Sequence, residues 1–176
     1  MTQYARPDAD ITSDGEWSGN AETGNLYTEV DETSANDGDY MEAGDSGCTG
    51  TTVELRLSDV TDPESASSHI VHWRAKDDGN DSELTVKLMM GSTEIASQTN
   101  TLTDSFADYS DTLNSTQANN ISDYTDLRLR FTFSDSECMG SAGQITHAYV
   151  EFPDVAVAAA AADPDLPGAA FLMFVD

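Results

Sequence analysis

Apolar and polar side chains alternate one by one along much of the chain. Val53, Leu55 and Leu57 alternate with Glu54, Arg56 and Ser58, and Val71, Trp73 and Ala75 with His72, Arg74 and Lys76. Leu84, Val86, Leu88 and Met90 are spaced by Thr85, Lys87 and Met89. Leu127, Leu129, Phe131 and Phe133 are spaced by Arg128, Arg130 and Thr132, and Ala148, Val150 and Phe152 close the series. A period of two turns one face of an extended strand to a core and the other to water. Turn-forming clusters at 78–81, 91–92 and 140–143 separate the runs. Before Thr51 the chain is rich in Gly, Asp, Ser and Thr, with Tyr4, Trp17, Leu26, Tyr27, Val30, Tyr40 and Met41 as sparse apolar anchors. Short strands are expected there near 26–30 and 39–43. Roughly eight to ten short strands at this spacing predict an all-β, antiparallel β-sandwich. Strand number and the placement of one short helix, N-capped at Ser115, favour a jelly-roll-like arrangement.

After Pro153 the pattern changes. The sandwich domain is expected over residues 1–154, followed at 155–176 by an alanine-rich linker and an apolar C-terminal arm. Pro164, Pro167 and Gly168 keep the linker out of regular structure, and Phe171, Leu172, Met173, Phe174 and Val175 form an arm suited to docking on a partner. The apolar run at 155–162 is far short of the ~20 residues a membrane-spanning helix needs. The first residues lack the apolar core of a secretory signal, so synthesis and assembly in the cytoplasm are expected.

Charge changes the picture most. In 176 residues, 33 Asp and Glu face 7 Lys and Arg, a formal net charge of −26. Nucleic acid and anionic membranes are poor partners for such a surface. Lysines are scarce: Lys76 and Lys87 stand alone beside five arginines. An aspartate-rich, lysine-poor surface that repels itself in dilute buffer is expected of a protein from a halophilic source, where salt screens it; an ordinary acidic surface protein from a marine or GC-rich source is the alternative. Arg56, Arg74, Lys76, Lys87, Arg128 and Arg130 all fall on outward strand positions shared with Glu54 and Glu83. Cross-strand ion pairs explain that placement; a less acidic sheet face that meets a partner is the alternative.

Little in the sequence carries chemistry. HExxH, CxxC, GxSxG and phosphate-loop motifs are missing, so an enzyme is not expected and no catalytic, cofactor or metal residues are assigned. Cys48 and Cys138 allow one disulfide or two unlinked thiols. His69 and His72 point to opposite faces of a strand and cannot chelate one ion together. The acidic loops at 59–64 and 77–81 offer oxygen ligands of the kind calcium takes, without EF-hand spacing.

A resemblance supplies a role. The opening Tyr4-Ala5-Arg6-Pro7-Asp8-Ala9-Asp10-Ile11, with Gly15-Glu16-Trp17 and Leu26-Tyr27-Thr28-Glu29-Val30-Asp31-Glu32, resembles small β-sandwich structural proteins in the virions of tailed bacterial and archaeal viruses. So do Leu57-Ser58-Asp59-Val60-Thr61-Asp62-Pro63, Leu84-Thr85-Val86-Lys87-Leu88 and the run from Ile121 to Phe131. The resemblance covers about residues 4–154 and implies a non-enzymatic capsid decoration protein on the virion surface. It would form a homo-oligomer, a trimer being favoured, docked on the major capsid protein or other virion proteins. A tail, baseplate or fibre component of the same virion is the nearer alternative. From another class, a carbohydrate-binding module remains open, with Trp17 and loop tyrosines as its platform.

Overall fold

The computed structural model describes residues 1–20, 24–44, 50–78, 82–135 and 142–155. Eleven strands appear among them: β1 (Gln3–Ala5), β2 (Pro7–Ser13), β3 (Trp17–Gly19), β4 (Met41–Ala43), β5 (Thr51–Leu57), β6 (Ile70–Lys76), β7 (Glu83–Met90), β8 (Thr93–Thr101), β9 (Ala107–Thr112), β10 (Leu127–Ser134) and β11 (Gln144–Phe152). They form two antiparallel sheets. The first runs β3-β4-β11-β6-β9, with β1 also paired to β11; the second runs β2-β5-β10-β7-β8. The all-β sandwich expected from the alternation is the fold, jelly-roll-like in its interleaved strand order. No helix among the described residues is long and apolar enough to cross a membrane.

The inward members of the alternating runs form a single core. Trp73, Phe131, Phe133, Phe152, Met41, Leu55, Leu57, Leu84, Leu88, Leu127, Leu129 and Ile145 are all but inaccessible. Phe131 sits at the centre of the second sheet, opposite Val53 on one side and Val86 on the other. At about 25 cal/mol per Å² of apolar surface removed from water, such a layer is the main force holding the sheets together.

Local chemistry decides the departures from the sequence reading. Residues expected to be a strand near 26–30 form a 3₁₀ turn, Leu26–Glu29. The Asp10 carboxylate accepts from the backbone N–H of Leu26 and of Tyr27, each at 2.8 Å, and so holds the two opening donors of a helical turn. The one α-helix among the described residues, α1 (Ser115–Asn119), is where it was expected, but its cap is Asn114, not Ser115. Asn114 Oδ1 accepts from the N–H of Thr116 and of Gln117, while the Gln117 side chain returns a bond to the Asn114 N–H. Strands β2, β8 and β9 were not foreseen, since their sequences are largely polar.

Gly143 has a packing reason to be glycine. A Cβ there would fall 2.3 Å from Cδ2 of Phe133, whose ring is locked in the core. Gly143→Ala is expected to cost about 1–3 kcal/mol by overpacking, read as a lower urea midpoint at unchanged slope. Cys48, Cys138 and the arm residues Phe171, Leu172, Met173, Phe174 and Val175 lie outside the described residues. The strands that lead toward the two cysteines, β5 and β10, are neighbours, with Thr51 opposite Phe133.

Candidate ligand groove on the first sheet

Strand β11 is paired unevenly along one side. β4 covers it at Gln144 and Ile145, and β1 covers it from Val150 to Phe152. In the gap between them the segment 30–40 leaves the core and crosses the outer face. Val30 marks the exit: it is buried, and its carbonyl accepts from the Ala148 N–H at 3.1 Å. Further along, the Asn36 carbonyl accepts from Thr146 Oγ1. Asp37 then takes both Nε and Nη2 of Arg74, at 2.7 and 2.8 Å. That fork holds the Asp37 carboxyl below the usual carboxylate range.

Tyr149 is the hub of the face beneath this strap. His72, its direct neighbour across β6, stacks on its ring at 4.5 Å and 16°. Tyr4 meets it edge-on at 5.7 Å, His147 lies 5.1 Å away, and the Arg6 guanidinium sits 5.0 Å from the ring centre. Tyr4, His72 and His147 are outward strand residues that the pleat brings to the same side, and Arg6 reaches it from the bend between β1 and β2. Burial pushes the Tyr149 phenol up and the His147 imidazole down, the latter aided by Arg6 and His72. His147 is therefore neutral near pH 7. Its Nε2 lies 2.9 Å from the Glu32 carbonyl, so Nε2 carries the proton and donates there. Arg6 Nη1 donates to the same oxygen.

Two adjoining clefts open between strap and sheet. One, of about 320 Å³, is lined by Ala35, His72, Asp108, His147 and Tyr149, with parts of Trp73 and Tyr109. The other, of about 340 Å³, shares Ala35 and Asp108 and adds Asn36, Asp37 and Arg74. Together they make an open groove with ring faces at one end and carboxylates, an amide and a guanidinium at the other. Asp108 is 82% exposed at its side chain and pairs with Arg74 at 3.3 Å.

Other expectations fall into place around it. His69 is inaccessible and meets the Tyr124 hydroxyl at 3.0 Å, on the opposite side of the sheet from His72. Trp17, offered as a sugar platform, is only 6% exposed and belongs to the core. Tyr4, at 49%, is the exposed ring. In the acidic loops, Asp62 accepts from the Glu64 N–H and Asp77 from the Ser82 N–H. Among the described residues no three His, Cys, Asp or Glu side chains gather in a way that could hold a metal. Five of the six outward cations form ion pairs, Arg130 with Glu54 foremost, while Lys76 lies over the Phe106 ring. Sequence reasoning left Tyr149 and Asp108 unmentioned. The available signal was an aromatic ring, Tyr149, in the polar phase of an alternating strand.

No protein-family model and no curated protein matches the chain. Among solved structures it is similar to one described as a CBM4 carbohydrate-binding module, at 11% identity and a TM-score of 0.49, covering 77% of this chain and 93% of that one. It is similar also to a xylan-binding module, CBM15, at 10% identity and a TM-score of 0.49, covering 89% and 99%. A third is TmCBM61 in complex with β-1,4-galactotriose, at 11% identity and a TM-score of 0.45, covering 85% and 86%. These are carbohydrate-binding modules where the sequence analysis expected a virion protein, and the capsid decoration role, with its tail or fibre alternative, is corrected accordingly. The physical reason lies in what carried that resemblance. Leu84–Leu88 lies inside β7, 57–63 is a strand end and loop, and the run to Phe131 enters β10; these stretches encode a sandwich and say nothing of its task.

Proposed function

We propose that the chain is a non-catalytic carbohydrate-binding module whose ligand lies in the groove across β6, β9 and β11. The observation that carries this reading is the pairing of Tyr149, His72 and His147 with Asp37, Arg74 and Asp108 along one open groove. A sugar ring offers an apolar C–H face edged by hydroxyls that both donate and accept. Aromatic faces take the first, and charged groups fixed by ion pairs take the second without moving. Arg74 is matched by two carboxylates, and the whole surface is anionic, so neutral glycans are favoured over uronates or sulfated chains.

Calorimetry against a panel of neutral and acidic oligosaccharides, in about 2 M NaCl to screen the surface, tests it. Binding of a neutral oligosaccharide is expected, weakened roughly tenfold or more by Tyr149→Ala and by Asp108→Ala. Asp108 is exposed enough that its loss leaves the fold intact, which keeps the second variant informative. Silence across the panel, or binding indifferent to both variants, removes the reading.

A further inference from the structure

Beneath the strap lies a pair of carboxyl groups that the groove does not use. Both carboxylate oxygens of Glu32 and Oδ1 of Asp39 are sealed from solvent and meet no donor. Asp39 is the charged side chain that acts most strongly on the Glu32 carboxyl, by a side-chain hydrogen bond and by its charge, and Asp31 adds a weaker repulsion. The other charged and titratable groups packed here are Arg6, from the bend between β1 and β2, and His147, from β11. Arg6 Nη1 and His147 Nε2 both donate to the Glu32 backbone carbonyl, and neither reaches its side-chain oxygens. Neither Glu32 nor Asp39 has an ion-pair partner among those found in the described residues. Two ionised carboxylates in a dry site repel, and each lacks the donor that burial demands.

We infer that Glu32 and Asp39, near the two ends of the strap 30–40, share a proton that pins those ends together and keeps the strap packed on the sheet, so that the groove wall loosens as the medium turns alkaline. One proton makes Glu32 a donor to Asp39, gives the Asp39 oxygen its partner and removes one of the two charges; its loss leaves two charges on a segment whose remaining anchors are a few hydrogen bonds and the Asp37–Arg74 fork. Burial and the Asp39 neighbour raise Glu32 from the ordinary 4.5 to about 7. A group that holds its proton more tightly when folded contributes fully at low pH, and that contribution is lost as pH rises through 7. The buried His69 and His147 act with the opposite sign, being costly to fold around as pH falls below 6.5. A comparison of variants at each pH cancels them. That the groove weakens with the strap rests on the glycan reading; the latch itself does not.

The test needs no ligand. Amide hydrogen exchange is followed at Ala148, which donates to Val30, and at Tyr40, which donates to Asn20 Oδ1. Wild type, Glu32→Gln and Asp39→Asn are compared in 2 M NaCl at several pH values between about 5.5 and 8.5. Taking the wild-type rate relative to Glu32→Gln at each pH removes the intrinsic pH dependence of exchange. That ratio is expected to rise about tenfold across the range at both amides, one pH unit of lost proton affinity being tenfold. Asp39→Asn, which keeps a donor beside Glu32, should stay as protected as Glu32→Gln. A ratio flat with pH overturns the latch. So does full protection restored to the wild type at pH 8.5 by millimolar calcium chloride but not to Glu32→Gln, since a cation would then be the natural occupant of the pair.

Discussion

Replacing Arg128 and Arg130 together by methionine is expected to cost about 3–5 kcal/mol, a large part of the stability of a domain this size. The reason is Glu54, whose side chain is only 5% exposed on the outer face of the second sheet. Its Oε1 accepts from Arg128 Nη1 at 3.0 Å, and its Oε2 from Arg130 Nε at 2.7 Å. Arg130 stands directly opposite Glu54 across the β5–β10 ladder, and Arg128 is its diagonal neighbour. Without them a nearly buried carboxylate loses the two arginine donors that hold it. The Arg56–Asp8 pair on the same face makes the contrast. Its two side chains are 47% and 35% exposed, and its loss should cost no more than about 1 kcal/mol. Urea unfolding of both variants checks the difference. Adding Glu54→Leu to the double variant should recover most of the loss, because an apolar trio replaces the stranded charge. A cost below about 1 kcal/mol for the double variant would mean that water reaches Glu54 and that the cluster is an ordinary surface pair.

The same cluster shows what the sequence revealed and where it fell silent. The alternation of Val53, Leu55 and Leu57 against Glu54 and Arg56 is dictated by the pleat, so the inward and outward sets were legible at once. Which outward residues meet across strands needs the register, and period two leaves that free. Strands β8 and β9 were illegible for another reason. In Thr93–Thr101 only Ile95 and Ala96 are buried, and β9 alternates half-buried with exposed residues. These are the outer strands of their sheets, where pairing to one neighbour demands less apolar surface. The groove was harder still. Its wall is an irregular segment fixed by Asn36, Asp37 and Glu32, residues that any polar loop contains. Its placement depends on β4 and β1 leaving a gap along β11. Long-range pairing of that kind leaves no periodic trace.

The largest effect on the whole molecule should come from salt. Five of the seven Lys and Arg side chains are already matched: Arg56 with Asp8, Arg74 with Asp37 and Asp108, Lys87 with Glu94, and Arg128 and Arg130 with Glu54. Seven Lys and Arg set against 33 acids leave a net charge of −26, and most carboxylates have no counter-charge in the chain. Folding gathers those charges, so in dilute buffer each resists compaction through its neighbours. Raising salt from about 0.1 M to about 2 M shrinks the Debye length from about 10 Å to below 3 Å and removes that resistance. The exposed ion pairs weaken over the same range, but they are worth little one by one, so the net repulsion decides the sign. Sodium chloride should therefore raise the melting temperature by on the order of 10 °C over this range. Sodium sulfate would add surface exclusion, which stabilises any fold, so the chloride series is the one that isolates charge. Lysine substitution at exposed acids away from the groove should flatten the curve by lifting the low-salt end, leaving stability at 2 M unchanged. A melting temperature level from low to high chloride would mean that the acids are spread too thinly to repel, and the case for a halophilic origin would go with it.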